Sequence, residues 1–339
     1  MQAKIVYLRP RGSGLFRSQL RSDTLWAAIC WSIRMVQGEK ALVSLLQNYD
    51  TPEEEESAFF LSSSFPFLYA EGGLKHHFLP HPIEPFRSTV PEPENAPDSP
   101  NGWKNRIREA KERKDRSRWL DFATFGANFT DQHNDQSSVS QPWFGTRAMT
   151  HNAIDRTRLG TLDTEGGGLL FHTLENYVIP SSKDARDWSA GLYFLVKGNF
   201  KVIEPALRFL EHSGIAGDRG TGKGHFQIDW DTVDLPEAAT PNACMTLSLF
   251  RPKQMEAMLL DQAKDQRLLR YQLVDRQGRH LLQSDFMQKG YFFFGEGSIF
   301  PIDEIQGKFP GRNENLGKHQ AGHDVFRYGR AFMLNIKLH

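Results

Sequence analysis

Apolar and polar positions divide the chain into two regions of regular pattern, separated by a long polar stretch. The segment KIVYLRP predicts a first strand that ends at Pro10, with Ile5, Tyr7 and Arg9 on one face. The next segment, SDTLWAAICWSIRMVQG, has apolar residues at helical spacing. It predicts a helix with Ser22 as its cap and Gly38 at its end. The segment SAFFLSSSFPFL predicts a second strand.

Between residues 70 and 165 this regularity is lost. Seven prolines lie between Pro80 and Pro100, which is typical of an extended surface segment. A basic arm follows at residues 104–118, with eight Lys or Arg residues against three acidic ones. A solvated helix, a second RNA contact and a partner-docking arm all stay open for this arm. We interpret the whole stretch as a long insertion.

After residue 165 the regular pattern returns. The segments GGGLLFHTLENYVIP and GLYFLVKG predict two strands, NFKVIEPALRFLEHSG predicts a helix, and GHFQIDW predicts another strand. Together with the first strand and helix, this gives the order β-α-β…β-α-β up to about residue 230. Residues 231–242 are predicted to be a linker. The remainder has a size and pattern that suit one further small α+β domain.

Composition excludes several classes of function. The 41 basic and 41 acidic side chains cancel, so any nucleic-acid site must depend on a local cluster of charge. No stretch approaches 18 apolar residues and the N-terminus has no apolar signal core, so we expect a cytoplasmic protein with no membrane partner. The only two cysteines, Cys30 and Cys244, are predicted to be buried thiols in a reducing compartment.

The segment GDRGTGKGHF nearly matches a nucleotide-binding loop. However, Gly224 stands where the Ser or Thr that binds magnesium is required, and a helix precedes the segment instead of following it. An ATPase loop is therefore disfavoured. The five glycines of residues 214–224 can instead turn backbone amides toward an anion, and nearby cations can bind phosphate. A solvated glycine-rich turn is the alternative. The candidate residues are Gly217, Asp218, Arg219, Gly220, Thr221, Gly222, Lys223 and Gly224.

Two further polar segments supply donors that suit phosphate and ribose. In HNAIDRTRLG, for which a solvated loop is the alternative, the candidates are His151, Asn152, Arg156 and Arg158. In the turn after the first strand, the candidates are Ser13, Arg17 and Arg21.

In their order and spacing, several segments resemble the RAMP superfamily of CRISPR-associated RNA-binding proteins. More narrowly, they are similar to the fourth Csm subunit of type III-A interference complexes. The resemblance is carried by RSDTLWAAICWSI, HNAIDRTRLG, GIAGDRGTGKGHFQI and TLSLFRP, with GEGSIFP and HDVFRYGRAF toward the C-terminus. It implies an α+β protein of two ferredoxin-like (RRM-like) domains. Residues 1–232 would form the first, with an insertion at about 70–165 and the glycine-rich loop 214–224, and residues 240–339 the second.

The resemblance also implies a function. The protein would be a non-catalytic subunit that needs no cofactor. It would anchor the 5′ repeat-derived handle of crRNA and nucleate assembly with the large polymerase-domain subunit and the backbone subunit of the effector complex. An assembly scaffold without RNA contact stays open as an alternative.

The main alternative is a metal-independent endoribonuclease that processes precursor crRNA. Such an enzyme uses a histidine as general acid or base, for which His151, His172 and His225 are candidates. The cluster HHFLPH contains three histidines that invite a metal site. We interpret them as incidental histidines of an exposed segment and expect no metal.

Overall fold

The structure is a computed structural model. It describes residues 1–12, 14–17, 19–49, 57–70, 73, 75–83, 102, 104, 118–131, 142–161, 163–164, 167–168, 170–180, 188–263, 268–277, 279–280, 283–287, 290–302, 310–318 and 324–338.

Most elements of the described chain are strands. The α-helices are α1 (Ser22–Gln37), α2 (Glu39–Asn48), α3 (Phe122–Phe129), α4 (Phe200–Ser213) and α5 (Gln254–Gln262). The strands are β1 (Gln2–Pro10), β2 (Phe59–Leu61), β3 (Phe65–Ala70), β4 (Lys75–Pro80), β5 (Trp119–Asp121), β6 (Pro142–Asn152), β7 (Ile154–Asp155), β8 (Gly160–Thr161), β9 (Asp163–Thr164), β10 (Gly167–Gly168), β11 (Leu170–Pro180), β12 (Trp188–Gly198), β13 (Phe226–Asp234), β14 (Ala243–Thr246), β15 (Leu273–Arg276), β16 (Arg279–His280), β17 (Gln283–Met287), β18 (Tyr291–Phe294), β19 (Ile299–Pro301), β20 (Glu314–Lys318), β21 (Asp324–Arg327) and β22 (Met333–Ile336).

One antiparallel sheet organises the N-terminal two thirds of the chain. Its strand order is β13-β1-β12-β3-β4-β5, and β2 also pairs with β12. Strand β1 pairs along its whole length with β13, from Gln2 opposite Asp234 to Pro10 opposite Phe226. Helices α1 and α4 pack against each other, and their buried apolar faces join the core of the sheet. The elements predicted as β-α-β…β-α-β are therefore present.

Helix α1 begins differently from the prediction. Ser22 is its first helical residue instead of its cap, and its hydroxyl accepts a hydrogen bond from the backbone N–H of Leu249 at 3.0 Å. The cap position belongs to Arg21, whose side chain makes no capping hydrogen bond. The predicted end is confirmed, because Gly38 adopts a φ of 93° and its N–H donates to the carbonyl of Arg34.

The region predicted as an irregular insertion is more ordered than its composition indicates. Strands β4 and β5 extend the main sheet, and α3 follows β5 directly, capped by the Asp121 carboxylate, which accepts from two backbone N–H groups. Phe78 and Phe125 are buried in the core. Most of the proline-rich segment and of the basic arm 104–118 lies outside the described residues.

His77, on β4, corrects the interpretation of the histidine cluster as part of an exposed segment. Its ring packs against Tyr7, Phe122 and Tyr193, and its Nε2 lies 2.9 Å from the Tyr7 hydroxyl. Burial, with a smaller contribution from the charge of Lys75, lowers the pKa of His77 to about 4. The ring is therefore a neutral member of an aromatic layer. Within the described ranges, no three His, Cys, Asp or Glu side chains form a group that could hold a metal ion.

The C-terminal third has its own antiparallel sheet, in the order β19-β14-β22, whose apolar residues join the core of the first sheet. Strand β13 continues to Asp234, so the predicted linker 231–242 begins later than expected. Cys30 and Cys244, one in each region, are both buried, as predicted, and burial raises the pKa of each thiol. No described helix has the length and hydropathy needed to cross a membrane.

Polar contacts also tie the two regions together. The buried hydroxyl of Tyr328 accepts a hydrogen bond from the backbone N–H of Leu61 at 2.9 Å, while its ring stacks on Trp26. The Asp23 carboxylate pairs with Arg276 at 2.8 Å. The C-terminal region is thus fixed against the start of α1 and the end of β2.

The Tyr328 hydroxyl is predicted to contribute to stability. Tyr328→Phe keeps the ring but leaves the buried Leu61 N–H without this acceptor, so we expect the free energy of unfolding to fall by about 1–3 kcal/mol. Chemical denaturation measures this change. The matched control is Tyr271→Phe at an exposed ring, with an expected change below about 0.5 kcal/mol. Equal stability of Tyr328→Phe and wild type would contradict the role given to this hydrogen bond.

Candidate nucleic-acid interface

A long β-hairpin carries one side of the candidate site. Strands β6 and β11 pair over eleven residues each, from Pro142 opposite Pro180 to Asn152 opposite Leu170. Because neighbouring residues on a strand point to opposite faces, directly opposed residues share a face. We call one of these faces the inner face. Its pairs are Gly145 with Tyr177, Arg147 with Glu175, Met149 with Thr173, and His151 with Phe171.

A buried carboxylate joins the inner face to the glycine-rich loop. Glu175 is only 1% exposed, and its Oε1 lies 2.5 Å from Lys223 Nζ, while its Oε2 lies 3.1 Å from Arg147 Nη2. The hydrogen bond from Lys223 lowers the pKa of Glu175 despite burial, and the same bond raises the pKa of Lys223. Lys223 is 12% exposed and its charge is compensated. Lys223 therefore holds the glycine-rich loop against the hairpin from a covered position. A side chain that binds phosphate was expected to lie at the surface instead.

The glycine-rich loop closes on itself. Asp218 and Gly222 adopt left-handed conformations at either end of a short 3₁₀ helix, Arg219–Thr221. At Gly224, where φ is 68°, a side chain would collide with the carbonyl oxygen of Ile215. The same two residues are joined by a hydrogen bond of 2.8 Å from the Ile215 N–H to the Gly224 carbonyl.

This geometry corrects the expectation that the loop amides face an anion. The N–H of Thr221 donates to Asp218, that of Gly222 to Arg219, and that of Gly224 to Leu15. Three of the predicted amide donors are therefore used inside the protein. The glycines serve a tight turn that docks on the segment after β1, and these three N–H groups are not available to an anion.

The turn after β1 lies beside both elements. The backbone of Phe16 pairs with that of Asn176, through hydrogen bonds of 3.0 and 2.7 Å, so the turn runs along the free edge of β11. The Arg17 guanidinium, 47% exposed, lies 2.8 Å from the Asp218 carboxylate. Arg21 instead pairs with Glu296 of the C-terminal region at 3.5 Å. Ser13 lies outside the described residues.

Asp218 has a structural role that the sequence did not indicate. Its carboxylate accepts from Arg17 and also lies 3.4 Å from Lys223, so it compensates two of the predicted cations. Arg219 is partly exposed and has no carboxylate partner among the residues described here, while its backbone carbonyl lies 3.1 Å from His225 Nε2. Of the loop cations, Arg219 is therefore the one best placed to meet a ligand.

The remaining predicted residues lie toward the far end of the hairpin. His151 Nε2 is 2.9 Å from the Thr173 hydroxyl, and its ring stacks on Phe171 at a centroid distance of 5.2 Å. His151 lies four positions after Arg147 on an extended strand, which corresponds to a distance of about 13 Å. Asn152 ends β6 and is exposed.

Arg156 and Arg158 are exposed in the turn between β7 and β8, with Arg158 3.9 Å from Asp155. They therefore follow His151, beyond the contact between hairpin and loop. Arg156 and Arg158 are thus separate from Lys223 along the hairpin, because Lys223 is covered at Glu175 and the hairpin extends past that contact.

A cleft at the base of the hairpin contains residues that sequence reasoning missed. It has a volume of about 620 Å³ and lies between β3, the turn after β1 and the hairpin. Its lining residues are Pro10, Gly14, Leu15, Tyr69, Arg147, Tyr177, Val178, Ile179, Ser189 and Ala190. Tyr177 lay within a predicted strand, but its face was unknown. Arg147 lay in the presumed insertion, where the segment TRAMTHN shows no clear apolar periodicity.

The coupling between Glu175 and Lys223 can be measured by a double-mutant cycle. Each single change, Glu175→Gln or Lys223→Met, leaves one charge without its main partner. Because the exposed Arg147 side chain shows that the site is close to solvent, we expect a coupling energy of about 1 kcal/mol instead of the larger value for a deep ion pair. Denaturation of wild type, both single variants and the double variant gives this energy. Additive effects would contradict the bracing role of Lys223.

Comparisons with known proteins agree on one family. Residues 240–336 match the family model of the CRISPR Csm4 C-terminal domain. The chain is similar to the CRISPR system Cms protein Csm4 of Thermococcus onnurineus (strain NA1), with 26% identity over 348 residues that cover 98% of this chain and 96% of that protein.

Two solved structures have a similar fold. A chain of the crystal structure of the Csm1-Csm4 cassette in complex with cA4 gives a TM-score of 0.57 at 21% identity, over 100% of this chain and 99% of that chain. A chain of the Csm3-Csm4 subcomplex of the type III-A CRISPR-Cas interference complex gives 0.53 at 16% identity, over 98% and 99%. With the family match and the full-length relative, the resemblance predicted from the sequence is confirmed.

Proposed function

We propose that this chain, which is similar to Csm4 proteins of CRISPR systems, is the subunit that binds the 5′ repeat-derived handle of crRNA. The observation that carries the proposal is an ion pair between the hairpin and the glycine-rich loop, Glu175 with Lys223. The turn after β1 lies beside both elements. Around this pair Arg17, Arg147 and Arg219 keep part of their surface exposed.

This surface suits single-stranded RNA. The chain has no net charge, so long-range attraction to RNA must come from such a local cluster. Guanidinium groups bind phosphate through paired donors, and single-stranded RNA is recognised by such contacts together with aromatic stacking. The tyrosines of the adjacent cleft supply aromatic rings within the same surface.

We further propose two protein partners, the large polymerase-domain subunit and the backbone subunit of the effector complex. The support is the fold: the chains similar to this one occur in a Csm1-Csm4 cassette and in a Csm3-Csm4 subcomplex. By binding the handle between them, this chain would nucleate assembly of the complex.

We also propose a more specific description of the fold, as two ferredoxin-like domains. The β-α-β-β-α-β core has its strands in the order fourth, first, third, second, which is expected of a ferredoxin-like domain at about residues 1–232. A second such domain at 240–339 is supported by the family match over 240–336 and by the sheet β19-β14-β22 with helix α5.

We assign no catalytic step to this chain. One ring nitrogen of each of the three histidines considered as acid or base has a local partner: His151 the Thr173 hydroxyl, His172 the Thr150 hydroxyl, and His225 the Arg219 carbonyl. We interpret these histidines as hydrogen-bonding or stacking groups. The proposed function is therefore to hold RNA, while chemistry belongs to other subunits.

The role of the exposed cations can be tested with fluorescently labelled handle RNA. We expect Arg147→Gln with Arg219→Gln to weaken binding by at least tenfold, and to reduce the salt slope by about 1.4, because about 0.7 is lost for each single-strand phosphate contact. The measurement is fluorescence anisotropy at several salt concentrations, without metal or ATP.

A charge-matched control separates this site from general electrostatics. Arg34→Gln with Lys40→Gln removes two exposed cations from α1 and α2, and we expect wild-type affinity. Equal RNA affinity of wild type and the folded Arg147 and Arg219 variant would contradict the site. The RNA should also stay intact. Cleavage that is lost in His151→Ala would identify an endoribonuclease instead.

A further inference from the structure

We propose that the cleft lined by Tyr69, Arg147 and Tyr177 binds one unpaired nucleobase of the RNA by stacking, with Arg147 on the adjacent phosphate. This inference rests on the proposed RNA-binding function and adds to it a defined subsite. The cleft volume of about 620 Å³ falls within the range of about 300–1,000 Å³ that is usual for small-ligand sites.

The ring of Tyr177 is held in place by its neighbour across the hairpin. Tyr177 lies directly opposite Gly145, and a side chain at position 145 would collide with the ring. Glycine at this position therefore lets the ring lie across β6. A ring fixed in this way offers a stacking surface at low entropic cost, because little side-chain freedom remains to be lost on binding.

The lining of the cleft contains a second fixed ring, on a different element. Tyr69, near the end of β3, stacks on Phe67 at a centroid distance of 5.2 Å, and the Arg9 guanidinium lies 5.4 Å from its ring centroid. Tyr69 is thus anchored in the aromatic layer of the main sheet while one part of it borders the cleft. Two aromatic side chains on separate elements therefore line the same space.

The charge at the cleft favours an anionic ligand. Arg147 is on the same face of the hairpin as Tyr177 and is 54% exposed, with one guanidinium nitrogen bound to Glu175. The guanidinium has five N–H donors, so donors remain for a phosphate. The lining residues include this arginine and no carboxylate. Aromatic rings beside a guanidinium with donors left for a phosphate are the chemistry that recognises a single-stranded nucleotide.

Abasic RNA tests the subsite directly. We would measure the affinity of the full chain for handle RNA and for versions in which one base at a time is removed. One position should lower wild-type affinity by about 5- to 100-fold, as expected for a lost base–aromatic stack. In Tyr177→Leu and in Tyr69→Leu that position should no longer matter, and the other positions should behave as in wild type.

Matched variants separate stacking from charge and from folding. Tyr177→Phe keeps the ring and should retain the wild-type abasic profile, whereas Arg147→Gln should reduce the salt slope, which the tyrosine variants should leave unchanged. Thermal unfolding identifies any variant that has lost its structure. If one of the two leucine variants is unfolded, the variant at the other tyrosine provides the test.

The outcomes distinguish this subsite from the function on which it rests. If wild type does not bind handle RNA, the proposed function itself is wrong. If wild type binds but the folded Tyr177→Leu and Tyr69→Leu variants keep its affinity and abasic profile, only the subsite is wrong. If these variants keep RNA affinity but lose assembly with the large subunit, the cleft is a protein contact, which also overturns the subsite.

Discussion

The buried carboxylate of Glu175 is the constraint on which the candidate site depends. The carboxylate itself is covered although the site lies close to solvent, and the position of its nearest cationic partner fixes the element that carries that partner. Here the partner is Lys223, so the glycine-rich loop must lie against the hairpin. The turn after β1 is held in the same place, because its backbone pairs with Asn176, next to Glu175 in the sequence.

The cations of the candidate site therefore have different roles. Lys223, a compact point charge, is used inside the contact, while the planar guanidinium groups of Arg17, Arg147 and Arg219 stay at the surface. A chain without net charge thereby presents a local basic surface beside an aromatic cleft. The scaffold for this surface is the main sheet, whose strand β1 leads into the turn and whose strand β13 leads out of the loop.

The sequence predicted the elements with long periodic patterns and missed those that depend on tertiary contacts. Helices α1 and α4 and strands β1 and β13 followed from their apolar spacing. Strands β4 and β5 are three to six residues long and border a proline-rich segment, so they left little periodic signal. For the site, Arg17 and Arg219 were found as exposed donors. The bracing role of Lys223 could not be found, because it is set by a carboxylate 48 positions earlier in the chain.

Photo-crosslinking of handle RNA to the full chain, followed by mass-spectrometric mapping, tests the central claim most directly. RNA substituted with 4-thiouridine at successive handle positions would report which chain segments lie against it. The account predicts crosslinked peptides from the turn after β1, the inner face of the hairpin and the glycine-rich loop, with loss of crosslinks for a scrambled handle. Crosslinks confined to α1, α2 or the C-terminal sheet would contradict it.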